Sequence, residues 1–167
     1  VPRAGSIIGT HVLSAGYLVP ARVLAQVEAL YSRMLRELGI VRCGVDCVAH
    51  LAVRLASDEV LVGQHRFTGK GGTGVTSPIK DIWLTASEDS DEPVSVSIDR
   101  RTESLILGAD AICYPVGSFY SSVAANLLPR GVGRAVAASS CPKIFVPNLG
   151  VDPELAGLPL ALLVEKL

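Results

Sequence analysis

The chain has 167 residues, 49% of them apolar and 19% charged, which is enough for one domain with a sizeable core and excludes disorder as the default state. Fifteen basic and sixteen acidic residues leave a formal net charge of -1, so no global field favours nucleic acid or an anionic membrane. Any anion must therefore be bound locally. The apolar end "LAGLPLALLVEKL" is too short to span a bilayer, and the N-terminus lacks the basic, apolar and cleavage regions of a signal peptide. A soluble, cytoplasmic protein is expected. The chain begins without Met and stops on an apolar stretch, and residues 1–167 are expected to form a single, partial domain.

In chain order, "SIIGTHVLSAGYL" is apolar but broken by Gly9 and Gly16, and its periodicity does not decide between strand and helix. From Pro20, Val23, Val27, Leu30, Met34 and Leu38 fall on one helical face, with Gly39 past the end; this predicts an amphipathic helix. "IVRCGVDCVAHLAVRLASD" reads as a short strand followed by a helical or strand-like piece, and "EVLVGQHRF" as a strand. The glycine loop "TGKGGTGVTSP" leads into a strand at "IKDIWLTAS", then an acidic loop. "IDRRTESLILGAD" predicts a short helix and "AICYPVG" a buried strand of the parallel-sheet kind. A helix from about Ser118 to Leu128, a second at "GRAVAASS" and a strand at "KIFVPNL" complete the order of a βαβ crossover.

Cys43, Cys47, Cys113 and Cys141 lack the paired spacing of a zinc site and read as reduced, buried thiols. The loop Gly69 to Gly74 invites a phosphate-loop reading, but its Lys70 precedes the Gly-Gly and a strand approach follows where a helix should open. A plain loop connection is the better account. The junction "YPVGSFYSSVAANLLPRG" has the context that loop lacks. A strand ending at Gly117-Ser118 and flowing into a helix sets backbone N–H groups and the hydroxyls of Ser118, Ser121 and Ser122 at a sheet edge, where open α/β folds bind ligands. A capped helix without a ligand fits the same spacing.

Ala109-Asp110, Gly117-Ser118, Tyr120, Ser121-Ser122, Asn126-Leu127-Leu128 and Asn148-Leu149 follow in the order and spacing of a segment carried by the CofD/YvcK family, which this chain resembles over roughly Ser6 to Glu154. The wording "GTHVLSAGYL" and "GQHRFTGK" is most similar to the CofD-like proteins of the bacterial GAK system. The resemblance implies an α/β fold, a Rossmann-like three-layer arrangement with a mainly parallel sheet, here incomplete on its N-terminal side. It further implies a homodimer and a nucleotide-diphosphate or phosphorylated small-molecule ligand. CofD enzymes transfer a phospholactyl-type group from such a nucleotide with magnesium, whereas YvcK relatives bind UDP-sugars and regulate. The implied ligand set is Gly117, Ser118, Tyr120, Ser121, Ser122, Asn126 and Asn148, joined by Thr10 and His11 where the family carries an Asn after Gly9.

Two departures bear on activity. The family's opening Gly-Gly-Thr-Gly strand-turn and its following acidic residues have no counterpart, so Mg2+ ligands are expected from a missing N-terminal segment, and no catalytic residue or metal ligand is assigned. Pro115-Val116-Gly117 replaces Gly-Pro-Gly, and Val116 narrows the backbone approach to a phosphate. His11 and His65 are of the type to meet a phosphate or act as a general acid, although ordinary hydrogen bonding is the better account of each; His50 reads as structural. Asp110, Arg130 and Arg134 stand near the turn as further charged candidates or as plain surface charges.

Overall fold

The protein was analysed as a computed structural model that describes residue 45, residues 47–68 and residues 75–167. Its contacts group into two compact units, Val1–Val48 and Ala49–Leu167. The second contains nearly all the described residues. The expected amphipathic helix from Pro20 to Gly39, Thr10 and His11, and Gly69 to Gly74 of the glycine loop lie outside the described residues.

Strands β1 (His50–Leu55), β2 (Val60–Val62) and β3 (Ile79–Thr85) form a three-stranded antiparallel sheet in the order β2-β1-β3. Leu51, Val53 and Leu55 recur at the two-residue strand period and all enter the core. The β1–β2 connection closes with Asp58 at φ 65°, its N–H donating to the Leu55 carbonyl at 2.9 Å. Asp tolerates this left-handed conformation better than most residues because its short polar side chain bonds locally. On the other face of β1, the Arg54 guanidinium lies 5.6 Å from the centre of the Trp83 ring.

Helix α1 (Arg100–Leu107) starts where the sequence places it, because the Asp99 carboxylate accepts the Thr102 N–H at 2.7 Å and Glu103 complements the positive end of the helix dipole. Next come β4 (Ile112–Tyr114), a π-helical turn (Phe119–Val123) continuing as a 3-10 helix (Ala124–Leu127), α2 (Val132–Ala138), β5 (Lys143–Phe145) and α3 (Leu160–Lys166). Strands β4 and β5 pair in parallel, with Tyr114 opposite Phe145, so the expected βαβ crossover is present.

The fold is mixed α/β, and the expectation of a mainly parallel sheet is corrected in part. Among the described residues the parallel strand pair is β4 with β5, beside an isolated parallel bridge between Ser97 and Arg130. The chain order gives the reason: a tight turn like that between β1 and β2 can join only antiparallel neighbours, whereas the helical segment between β4 and β5 is long enough for a parallel return. Two further expectations change. Strand β4 is not fully buried, since Ile112 and Tyr114 are half-buried and Cys113 is exposed. Cys47, Cys113 and Cys141 are free thiols as expected, but the first two are exposed.

The core joins Leu51, Val53, Leu55 and Ile79 of the antiparallel sheet to Phe67, Phe119, Tyr120 and Leu163. The turn after β4 is thus built into the core through two consecutive aromatic residues, which sets the position of everything around Gly117.

Candidate functional site

The residues following β4 are held from the far side of the crossover. The Asn148 side chain forms two hydrogen bonds with Gly117, its Nδ2 donating to the Gly117 carbonyl at 2.8 Å and its Oδ1 accepting the Gly117 N–H at 3.1 Å. Gly117 is needed for close approach: a Cβ there would lie 2.9 Å from Cβ of Ser122. Ser118 is the residue before the helical run, at φ -59° and ψ 130°, but its hydroxyl does not cap it.

Two carboxylates cap it instead. Asp152 Oδ2 accepts the Phe119 N–H at 2.7 Å, and Glu154 Oε2 accepts the N–H groups of Tyr120 and Ser121, each at 2.9 Å. The Ser121 hydroxyl donates to the other Glu154 oxygen. The Glu154 N–H in turn donates to Asp152 Oδ1 at 3.0 Å, which ties the two acids into one unit. The first N–H groups of a helix have no partner within it, and negative groups are favoured there. Here the chain supplies both requirements from a strap, residues 146–155, that follows β5.

Glu154 is fully buried and Asp152 nearly so. Burial pushes the Glu154 carboxyl above the usual carboxylate range, and neighbouring Asp152 pushes in the same direction, against the lowering effect of its hydrogen bonds from Ser121 and Tyr120. Burial, with Glu154 nearby, also raises the Tyr120 phenol, whose O–H donates to the Ile79 carbonyl at 3.2 Å. That bond fastens the turn to β3.

Beside the turn lies a largely apolar cleft of about 280 Å³, lined by residues that include Ile106 of α1, Tyr114 of β4, Ser122, Asn126 and Val132. Burial and the proximity of Cys141 raise the Tyr114 phenol. Ser122 sits one helical turn after Ser118, its N–H donating to the Ser118 carbonyl at 2.9 Å, and its own carbonyl accepts Nδ2 of Asn126 at 2.7 Å. Among the described residues, the hydroxyls of Ser118 and Ser122 show no hydrogen-bond partner.

The structure therefore brings seven expected residues into one neighbourhood and divides them by role. Tyr120, Ser121 and Asn148 are engaged in holding the turn with Gly117, while Ser122 and Asn126 line the cleft and half-buried Ser118 precedes the helical run. Thr10 and His11 lie outside the described residues. His65 belongs elsewhere: it follows β2 with Nδ1 3.8 Å from Glu88 Oε1, and the same oxygen lies 3.4 Å from Nδ1 of His50. Arg134 faces Glu103 of α1 at 3.6 Å, and Arg130 uses its backbone to join the segment 96–98. Sequence reasoning assigned no role to Asp152 or Glu154. Their signal was present as two acids closely following Asn148, although nothing local connects them to the serines they bind.

No helix among the described residues is long and apolar enough to cross a membrane. Comparison with known proteins places the chain in a lineage. The model of the family "2-phospho-L-lactate transferase CofD" matches residues 2–167. A Thermotoga maritima protein named "Putative gluconeogenesis factor" is 30% identical over 147 residues, spanning 84% of this chain and 42% of its own length. Two crystal structures of Bacillus halodurans protein BH3568, one described as a member of the UPF0052 family, superpose with TM-scores of 0.74 and 0.75 at 22% and 21% identity. Each covers 97% of this chain, which spans 48% of theirs. The chain thus has about half the length of these relatives, shares their fold, and belongs to the CofD family.

Proposed function

We propose that this chain carries part of a binding site for a phosphorylated or nucleotide-diphosphate ligand at the Gly117–Ser118 turn, within a Rossmann-like α/β arrangement of the CofD family. The observation that carries this reading is the unengaged hydroxyl of Ser122 on the adjoining cleft, with that of Ser118 one helical turn before it, on a turn held rigid by Asn148, Asp152 and Glu154. The mode of contact differs from a bare helix N-terminus. The N–H groups of Phe119, Tyr120 and Ser121 already serve carboxylates, so phosphate oxygens meet serine O–H donors, and the cleft takes a less polar part of the ligand.

Magnesium, implied by the resemblance, does not fit the described residues. They contain no group of three His, Cys, Asp or Glu side chains suited to a metal, and the buried acids at the turn are already occupied by N–H and O–H donors. No transfer step is assigned to these residues. A second reading is a non-catalytic, nucleotide-sugar-binding regulator of the YvcK type; the Thermotoga relative is named a factor and not a transferase. This reading shares the same ligand chemistry.

A thermal-shift screen with GDP, UDP-sugars and inorganic phosphate, with and without magnesium, tests the reading. A ligand present at 100 times its Kd stabilises the folded state by about 2.7 kcal/mol. Ser118→Ala and Ser122→Ala are expected to reduce that shift while leaving the unliganded midpoint nearly unchanged. A shift that persists in the double variant would move the ligand elsewhere, and no shift with any probe would remove the ligand-binding reading.

A further inference from the structure

We infer that the less polar part of the ligand is an aliphatic chain of about ten carbons, so that the cleft beside the Gly117–Ser118 turn selects a phosphate or diphosphate ester of such a chain over a nucleotide or a nucleotide-sugar. The inference rests on the phosphate reading above and narrows the class of ligand it takes.

The cleft lies within the crossover, bordered by α1, β4, the helical run and α2. Ile106 of α1, Ile112 of β4, Leu127 of the 3-10 helix and Val136 of α2 line it, and each is half-buried, so part of its apolar surface is open to an occupant. Among the described residues, no Asp, Glu, Lys, Arg or His lines it, and its polar side chains are those of Ser122, Asn126 and Tyr114. Asn126 Nδ2 is already given to the Ser122 carbonyl. The Ser122 hydroxyl is thus the polar end of the cleft: Ser122 is exposed and sits against Gly117, where a Cβ would lie 2.9 Å from its own.

Size and chemistry together choose the occupant. An apolar cavity of about 150 Å³ takes one benzene ring. The cleft, at about 280 Å³, takes roughly twice that much hydrocarbon. A base with its ribose, or a second sugar, brings several ring nitrogens, carbonyls and hydroxyls, and the lining offers few side chains to pair them. Each polar group left unpaired on binding costs roughly tenfold in affinity. A hydrocarbon chain needs no partner there and gains by leaving water. The charged head then stays with the serine hydroxyls at the turn, and the chain lies along the aliphatic walls between α1 and α2.

The experiment uses the full product of the gene and probes that share a diphosphate: inorganic diphosphate, UDP-glucose, and geranyl diphosphate, whose tail is a hydrocarbon of the required length. In calorimetry, geranyl diphosphate is expected to bind with a Kd at least about tenfold below that of either other probe. At ten times its Kd it should slow maleimide labelling of Cys113, which lines the cleft and is exposed, by about tenfold, and leave exposed Cys47 unchanged. Val136→Trp, which fills the cleft, is expected to raise that Kd to the value for inorganic diphosphate. Geranyl diphosphate binding no tighter than inorganic diphosphate overturns the inference and leaves the phosphate reading standing, whereas no binding of any probe removes both. UDP-glucose binding as tightly as geranyl diphosphate, full-rate labelling of Cys113 with geranyl diphosphate bound, or an undiminished preference in Val136→Trp also overturns it. The labelling readout stands even if Val136→Trp folds poorly.

Discussion

Ser121 gives both its backbone N–H and its hydroxyl to the fully buried carboxylate of Glu154. With the Tyr120 N–H, three donors converge on one side chain. Glu154→Ala leaves all three without an acceptor, and an unsatisfied buried polar group costs about 1–3 kcal/mol. A loss of at least about 3 kcal/mol is expected in chemical denaturation. Glu154→Gln keeps one carbonyl oxygen for the two N–H groups and places an amide donor toward the Ser121 oxygen, so a loss of about 1 kcal/mol is expected. Equal losses for the two variants would show that packing, rather than acceptor chemistry, holds the strap.

The raised Glu154 carboxyl gives stability a pH dependence of definite sign. Burial makes the folded protein hold this proton to higher pH than the unfolded chain, whose value is near 4.5. Between the two values the folded state binds more protons, so stability falls as pH rises. The Glu154 contribution is fully present below the unfolded value and is lost as pH rises through the folded one. Denaturation midpoints measured across the acidic range should therefore show a falling component in the wild type that is missing in Glu154→Gln. A component of opposite slope would mean that the hydrogen bonds outweigh burial.

Local chemistry was legible where it was self-contained. The short helix at "IDRRTESLILGAD" is present as α1, and the alternating leucines and valine of β1 allowed a strand, although a short apolar run leaves helix open as well. The crossover could be read from the order of elements, and the parallel β4–β5 pair bears it out. The antiparallel pairing of β3 with β1 could not, because the long connection between β2 and β3 carries no directional signal. The site was legible as a turn but not as a clamp. Asp152 and Glu154 bind residues 33 and 34 positions earlier in the chain, and a cap supplied across that distance leaves no periodicity to detect. The expected helix after Ser118 is real but takes π and 3-10 form, a distortion no propensity encodes.

Gly117→Ala tests the closeness of the turn. The added methyl would sit 2.9 Å from Cβ of Ser122, a backbone-borne atom that cannot swing aside, so the Asn148 clamp or the first helical turn must shift. A destabilisation of about 1–3 kcal/mol is expected. Asn148→Ala removes only the clamp, whose bonds are exposed, and should cost about 1 kcal/mol. If Gly117→Ala is neutral, the turn has slack and no ligand is positioned by it.

Tyr120 joins the two halves of this arrangement, because its N–H serves Glu154 while its O–H reaches the Ile79 carbonyl on β3. Tyr120→Phe retains the ring and its edge-to-face contact with Phe119 at 5.1 Å, and removes only the hydroxyl bond. A buried carbonyl then loses a donor, for an expected cost of about 1 kcal/mol. The informative measurement is the double variant with Glu154→Gln. If the strap and the sheet hold one rigid turn, freeing either end relaxes the other, and the combined loss should fall short of the sum by about 0.5 kcal/mol or more. Strict additivity would mean that Ile79 and Glu154 anchor the turn independently, and that its rigidity comes from Asn148 and the packing of Phe119.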